Sequence, residues 1–441
     1  MVVIDLGEVR DGPLPDEPPP RSRTRPVRRP LWTALVALVV AAGLAADGPA
    51  PARIASVLPG SPTGQVFFAD DLILVVSPVS GPGSPREVVA YPLPEHPTGA
   101  AQRPEPRWRT PLPITGDLWR AQTSHGSILF TSSSDDHPIG ETTMLDARTG
   151  RLGWQLPGAG EVDGAGRLLL ADSPYLPDRT VRAVDVVSGR TVWSAPAPDK
   201  GVLHHRRPGA VDQVVLAGPD GGVEVRDAAT GEVRHRADLG PLDVDAPLQV
   251  IGDLLVHVDR RAATMTARDL DGLGRRWSVP LPWAVSYVDD CGALVCAVPE
   301  SGGGLQAFDA TTGALRWTSA ESETLVTRWW GGPHRADRLL VLSRRAGPTT
   351  FAVLDAATGR QLAQLDAGQL VPPADPGGPF FGLRRTADDR LVVVELDLAV
   401  ARTRTVDVIP GAAGDCLTGP DLTLVCRRPD RSSFGVWRLP A

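Results

Sequence analysis

The chain has 441 residues, 42% of them hydrophobic, with 46 Gly, 44 Pro and a formal net charge of −7. That is enough apolar material for a large core, but too many turn-formers for long helices over most of the length. An acidic chain without a basic, aromatic-studded stripe is a poor partner for nucleic acid, and none is expected.

Of the Lys and Arg residues only Lys200 is Lys, and the chain contains no Asn. It therefore has no N-linked glycosylation acceptor. The abundance of Ala, Arg, Gly and Pro is that of a GC-rich bacterial gene.

Residues 1–30 are polar and Pro-rich and end in Arg21, Arg23, Arg25, Arg28 and Arg29. They read as a disordered cytoplasmic tail. An uncharged run follows at residues 31–46, LWTALVALVVAAGLAA. As a helix it rises about 24 Å, slightly less than the roughly 30 Å hydrocarbon core of a bilayer. Arg on its N-terminal side places the tail in the cytoplasm and the rest of the chain outside. The expectation is an uncleaved single-pass anchor in the cell membrane. A signal peptide cleaved near Gly43-Leu44-Ala45 is the alternative, and it exports the same residues. Residues 47–65, rich in Pro, Gly, Ala and Ser, read as a linker.

From residue 66 to 441 the chain repeats. The copies are Asp146-x-x-Thr149-Gly150 with Trp154, Asp185-x-x-Ser188-Gly189 with Trp193, and Asp309-x-x-Thr312-Gly313 with Trp317. Two more keep the turn without the Trp: Asp227 with Gly231, where His235 takes its place, and Asp355 with Gly359, where Ala363 does. A degenerate copy runs from Asp269 to Trp277. Successive Asp residues lie 39, 42, 42, 40 and 46 positions apart. That is the length of one four-stranded propeller blade.

Each part of the repeat has a physical role. Asp accepts backbone N–H groups of the turn, Thr or Ser supports it, and Gly supplies the positive φ of a bulged hairpin. The Trp then offers a flat face to the neighbouring blade. Nine short apolar strands recur along the chain, the first at 72–76 and the last at 423–427. The fold class is all-β, a single propeller behind one N-terminal transmembrane helix.

The pattern D-x-x-T/S-G-x-x-x-W resembles the tryptophan-docking repeat of the PQQ-like (quinoprotein-type) β-propellers. That superfamily holds quinoprotein alcohol dehydrogenases and an outer-membrane assembly lipoprotein. The resemblance covers roughly residues 66–441 and implies eight blades, with seven or nine as alternatives. It is specific for the fold and weak for any one function. The superfamily's enzymes use a vicinal Cys pair, Glu, Asn and a catalytic Asp around PQQ and calcium. Here no two Cys are adjacent and Asn is absent. No catalytic residue, metal ligand or cofactor is therefore assigned.

Cys291, Cys296, Cys416 and Cys426 are an even set in an exported domain, so disulfides are expected. In each half a Cys precedes a tight turn and its partner lies on the next strand. Pairing within each copy is expected, 291 with 296 and 416 with 426.

Other candidates read as structural. His204 and His205, beside Arg206 and Arg207, read as a solvated loop. Asp135, Asp136 and His137 read the same way, and Asp289 and Asp290 as a turn. Trp329 and Trp330 read as packing between blades. The function expected is a non-catalytic protein-binding or scaffold module whose partner is an unidentified envelope or membrane protein. A small-ligand or carbohydrate sensor is the alternative, and a PQQ-dependent dehydrogenase a distant third.

Overall fold

A computed structural model describes residues 54–440 apart from 79–80, 82–83, 95–102, 115, 134–139, 164, 173–177, 208–209, 301–303, 320–322, 326–336, 344–349, 366–367 and 375–377. The expected anchor at 31–46 lies outside the described residues. So do Trp329, Trp330, Asp135, Asp136 and His137. Among the described residues no helix is long and apolar enough to cross a membrane.

The described residues form nine four-stranded antiparallel sheets. Blades 1 to 8 cover residues 65–112, 117–157, 159–196, 201–238, 248–280, 285–318, 323–365 and 369–409 in order. In each, the chain meanders from the innermost strand to the outermost, and innermost strands of neighbouring blades adjoin, those of blades 1 and 2, 4 and 5, and 5 and 6 among them. One face of the ring therefore carries the hairpins between third and fourth strands, with their Asp–Gly turns. The other carries the second-to-third hairpins and the connections between blades.

Blade 9 is built from both ends of the chain. Gly414–Gly419, Thr423–Arg427 and Ser433–Arg438 supply its three inner strands, and Ile54–Pro59 supplies the outermost. The expectation of eight blades is thus corrected to nine. The three strands between 414 and 438 become a complete blade because the N-terminal strand joins them. Ile54–Pro59 falls inside the stretch read as linker. Its small and Pro-flanked residues look like linker, but the alternation that identifies an edge strand needs a partner, and the partner lies at the other end of the chain.

The second-to-third-strand regions are the apolar runs of the sequence. Leu72–Val76 is buried at every position, as a strand covered on both faces must be. The outermost strands alternate instead. Val233–Asp238, for example, exposes Arg234, Arg236 and Asp238. Pro111, Pro157, Pro196 and Pro280 each stand three residues after a Trp on such a strand. Arg side chains and Pro blunt these open edges, where unpaired backbone otherwise recruits other chains. The core is a chain of clusters lying mostly between blades. One joins Val181, Ala183 and Ala195 of blade 3 to Val214 and Leu216 of blade 4.

Candidate functional site

The sequence-derived residues converge on the joints between blades. In the turn after Asp227, the carboxylate accepts the N–H of Thr230 at 2.8 Å and its hydroxyl at 3.2 Å. Asp146, Asp185, Asp309 and Asp355 make the same pair of bonds to Thr149, Ser188, Thr312 and Thr358. Gly150, Gly189, Gly231, Gly313 and Gly359 take φ between +67° and +74°. The ladder slips by one residue beside each turn, as a bulged hairpin requires.

The Trp of one blade docks on the turn of the next. Trp154 Nε1 donates to the Val186 carbonyl, Trp193 to Ala228, Trp277 to Ala310 and Trp317 to Ala356, at 2.7–2.9 Å. Each indole also covers the turn Gly. A Cβ on Gly231 would lie 2.6 Å from Trp193 Cγ. Trp108 makes the same joint, to the Ala147 carbonyl at 2.9 Å and against Gly150. The turn motif does not reveal Trp108, but the recurring Trp-x-x-Pro at 108, 154, 193 and 277 does.

At two joints that lack the Trp, charged groups tie the blades. Between blades 4 and 5 stands His205, which faces Asp212 Oδ1 at 2.5 Å through Nδ1 and Asp253 Oδ1 at 3.2 Å through Nε2. At the same joint the Lys200 ammonium donates to the carbonyls of Asp243 (2.7 Å), Val244 (3.0 Å) and Ala246. Burial lowers its pKa, against the pull of Asp243 and Asp245. Between blades 9 and 1, Arg427 donates to the carbonyls of Ser61 (2.8 Å) and Gly64 (2.6 Å) and stacks on Phe434. Disulfides join Cys291 to Cys296 in blade 6 and Cys416 to Cys426 in blade 9.

His204 and His205 are not in a solvated loop, as their polar neighbours suggested. They lie on the innermost strand of blade 4, Gly201–Arg207, and His205 is buried. Arg120 of blade 2, Glu161 of blade 3, and His204 and Arg206 of blade 4 form one polar cluster. Burial raises the Glu161 carboxyl. The hydrogen bond and charge of His204, with Arg206 and Arg120, outweigh that and bring its pKa down to about 2. Asp290 is a turn acceptor, its Oδ1 taking the Gly292 N–H at 2.7 Å.

Two clefts open side by side on the face opposite the Asp–Gly turns. One, of about 620 Å³, lies between the end of blade 3 and blade 4 and is bordered by Pro196, Asp220, Glu224, Arg236 and Asp238. The other, of about 240 Å³, lies at the joint of blades 4 and 5 beside Leu242, His257 and Arg261. Burial, then the charge of Arg268, lowers the His257 pKa. The first cleft has the size of a ligand or side-chain pocket. Among the described residues, no group of three or more His, Cys, Asp and Glu is placed to hold a metal ion.

Residues 101–254 match the protein-family model PQQ_2, described as outer membrane protein assembly factor BamB. A curated relative, the outer membrane protein assembly factor BamB of Bordetella pertussis, is 28% identical over 256 residues. The match covers 54% of this chain and 64% of that protein, so the chain spans less than two thirds of the relative's length. Among solved structures, BamB from Moraxella catarrhalis is 14% identical, with 87% of this chain and 97% of that chain covered and a TM-score of 0.43. A europium-containing methanol dehydrogenase is 15% identical, with 85% and 84% covered and a TM-score of 0.41. The computationally designed Ika8 protein is 15% identical, with 73% and 96% covered and a TM-score of 0.48. The match at 101–254, together with the Trp-on-turn joints of Trp108, Trp154, Trp193, Trp277 and Trp317, makes this nine-bladed propeller similar to the PQQ-like repeat proteins.

Proposed function

We propose that this chain is a membrane-anchored, extracytoplasmic propeller that binds a protein partner and performs no chemistry of its own. The observation that carries this reading is where the polar groups go. The buried His205 and the sole Lys are spent in ties between blades, while a roomy cleft stays open on one face. Rigid rings with loops on two faces suit protein recognition. The curated relative, named as an assembly factor, supports a role in holding other proteins. The Arg-flanked apolar run at 31–46 supports the anchor. Crosslinking in intact cells followed by affinity purification tests the reading. A reproducible envelope partner is expected, and recovery of none counts against it. Protease added to intact cells is expected to cut the propeller; complete protection removes the extracytoplasmic placement.

A second reading, a small-ligand or carbohydrate sensor, has one observation in its favour. Trp119, on the innermost strand of blade 2, is 52% exposed, as sugar-stacking aromatics are. Thermal-shift screening against envelope sugars separates the two readings. Dye reduction with added PQQ, calcium and an alcohol tests for the enzyme activity this reading denies.

A further inference from the structure

The repeat supplies its own template for reading the large cleft. Arg182 and Glu224 occupy equivalent positions, each three residues before the turn Asp of its blade, Asp185 and Asp227. Both sit on the face turned toward the preceding blade. Arg182 reaches back across the joint between blades 2 and 3. Its Nη2 donates to the Pro157 carbonyl at 2.5 Å and lies 3.3 Å from Asp172 Oδ1. Pro157 ends the outermost strand of blade 2, as Pro196 ends that of blade 3.

At the next joint the guanidinium is missing. Glu224 stands in its place and turns to two arginines of its own blade, Arg226 at 2.5 Å and Arg236 at 2.7 Å. The acidic half of the pairing is kept. Gly218 takes the position of Asp172, and the Asp220 carboxylate lies directly over it, 2.2 Å from where a Cβ would stand. Asp238 replaces the strand-ending Pro at the other border. Space, a proline-ended strand and an acid are all present at this joint, and the result is the cleft of about 620 Å³. Its border holds three carboxylates, Asp220, Glu224 and Asp238, against two guanidinium groups, Arg226 and Arg236.

We propose that the cleft between blades 3 and 4 receives an arginine side chain from a basic segment of a partner protein, in the position that Arg182 fills between blades 2 and 3. The inference rests on the protein-binding reading above and names the chemistry of the partner. The acidic domain favours such an approach at long range. Arginine fits better than lysine, because a planar fork engages a carbonyl and a carboxylate at once, whereas an ammonium is a point charge.

The test is fluorescence anisotropy with a labelled tri-arginine peptide and the full chain. Saturable binding at one site is expected, weaker for tri-lysine and absent for tri-glutamate. Asp220→Asn and Asp238→Asn keep the side-chain oxygens that accept the Gly222 and Gly240 N–H groups. Together they should weaken tri-arginine binding about tenfold, while Asp388→Asn, remote and exposed, leaves it unchanged. Arg182→Ala should vacate the equivalent position and add a second site, with thermal melting confirming that the variant folds. No saturable binding, equal loss with Asp388→Asn, or tri-lysine binding as tightly as tri-arginine overturns the proposal. If the Asp220→Asn/Asp238→Asn protein still recovers the same partner from cells, the cleft assignment fails and the protein-binding reading stands. If no partner is recovered by any form, that reading fails, and the peptide titration still decides the cleft.

Discussion

The indole Nε1 of Trp317 donates to the carbonyl of Ala356 at 2.7 Å, 39 residues further along the chain and one blade further round the ring. The ring of Trp317 also lies against Gly359, where a Cβ would stand 2.6 Å from the indole. A single side chain thus holds two blades through a hydrogen bond and a flat contact that only glycine admits.

Removing that contact should be costly. Trp317→Ala leaves a cavity and an unpaired carbonyl, and about 3–5 kcal/mol of stability should go with it. Gly359→Ala, at φ +67°, should cost at least about 1–2 kcal/mol from backbone strain alone, before the clash. Urea unfolding measures both. An Ala variant at Gly252, which has positive φ but open space around it, isolates the strain from the contact.

Acid should loosen the turns. The Arg316 hydrogen bond, then those of Thr312, bring the Asp309 pKa down to about 2. Hydrogen bonds from Thr149, Ser188 and Thr358 lower Asp146, Asp185 and Asp355 in the same direction. Carboxylates with a depressed folded pKa contribute stability above their unfolded value, near 4, and lose it as pH falls toward the folded value. The urea midpoint should therefore fall between pH 4 and pH 2. Asp309→Asn, less stable at neutral pH, should show a shallower fall.

Lys200 should resist replacement by arginine. Its ammonium meets three carbonyls from one loop, a tripod that a planar guanidinium cannot reproduce. Lys200→Met should cost about 2–3 kcal/mol, and Lys200→Arg should not restore it. Lys200 is the only lysine. Amine-directed labelling of the native chain should therefore mark Lys200 only slowly, and quickly in urea.

The ends of the chain should be needed together. A chain beginning at residue 47 keeps Ile54–Pro59 and should melt as the full chain does. One beginning at residue 65 loses the outermost strand of blade 9 and the carbonyls of Ser61 and Gly64 that Arg427 holds. It should melt earlier and self-associate through the exposed strand Ser433–Arg438. Calorimetry and size-exclusion chromatography report the two effects.

The disulfides should matter less than the joints. Their loops are short, 5 and 10 residues apart in sequence, so removing either by paired Cys→Ser substitution should cost about 2 kcal/mol. Non-reducing peptide mapping should recover 291–296 and 416–426 as separate pairs; a 291–416 cross-link would contradict both.

The amino-acid sequence by itself determined the blade. Asp, Thr and Gly at fixed offsets specify a turn by local hydrogen bonds and a local φ, and the Trp four residues on announces an aromatic contact. Such features act over a few residues, so they are written where they act. The number of blades was not written in this way. It depends on Ile54–Pro59 finding Ser433–Arg438 across the whole chain, and no local signal encodes a partner some 380 residues distant. The polar joints were hidden for the same reason. His205 looks like a loop residue until the fold brings Asp253 to it, and Lys200 looks like an ordinary surface cation until residues 243–246 close around it. The cleft between blades 3 and 4 lies where Glu224 replaces the Arg182 of one blade earlier, a difference that acquires meaning when the two joints are laid over each other in space.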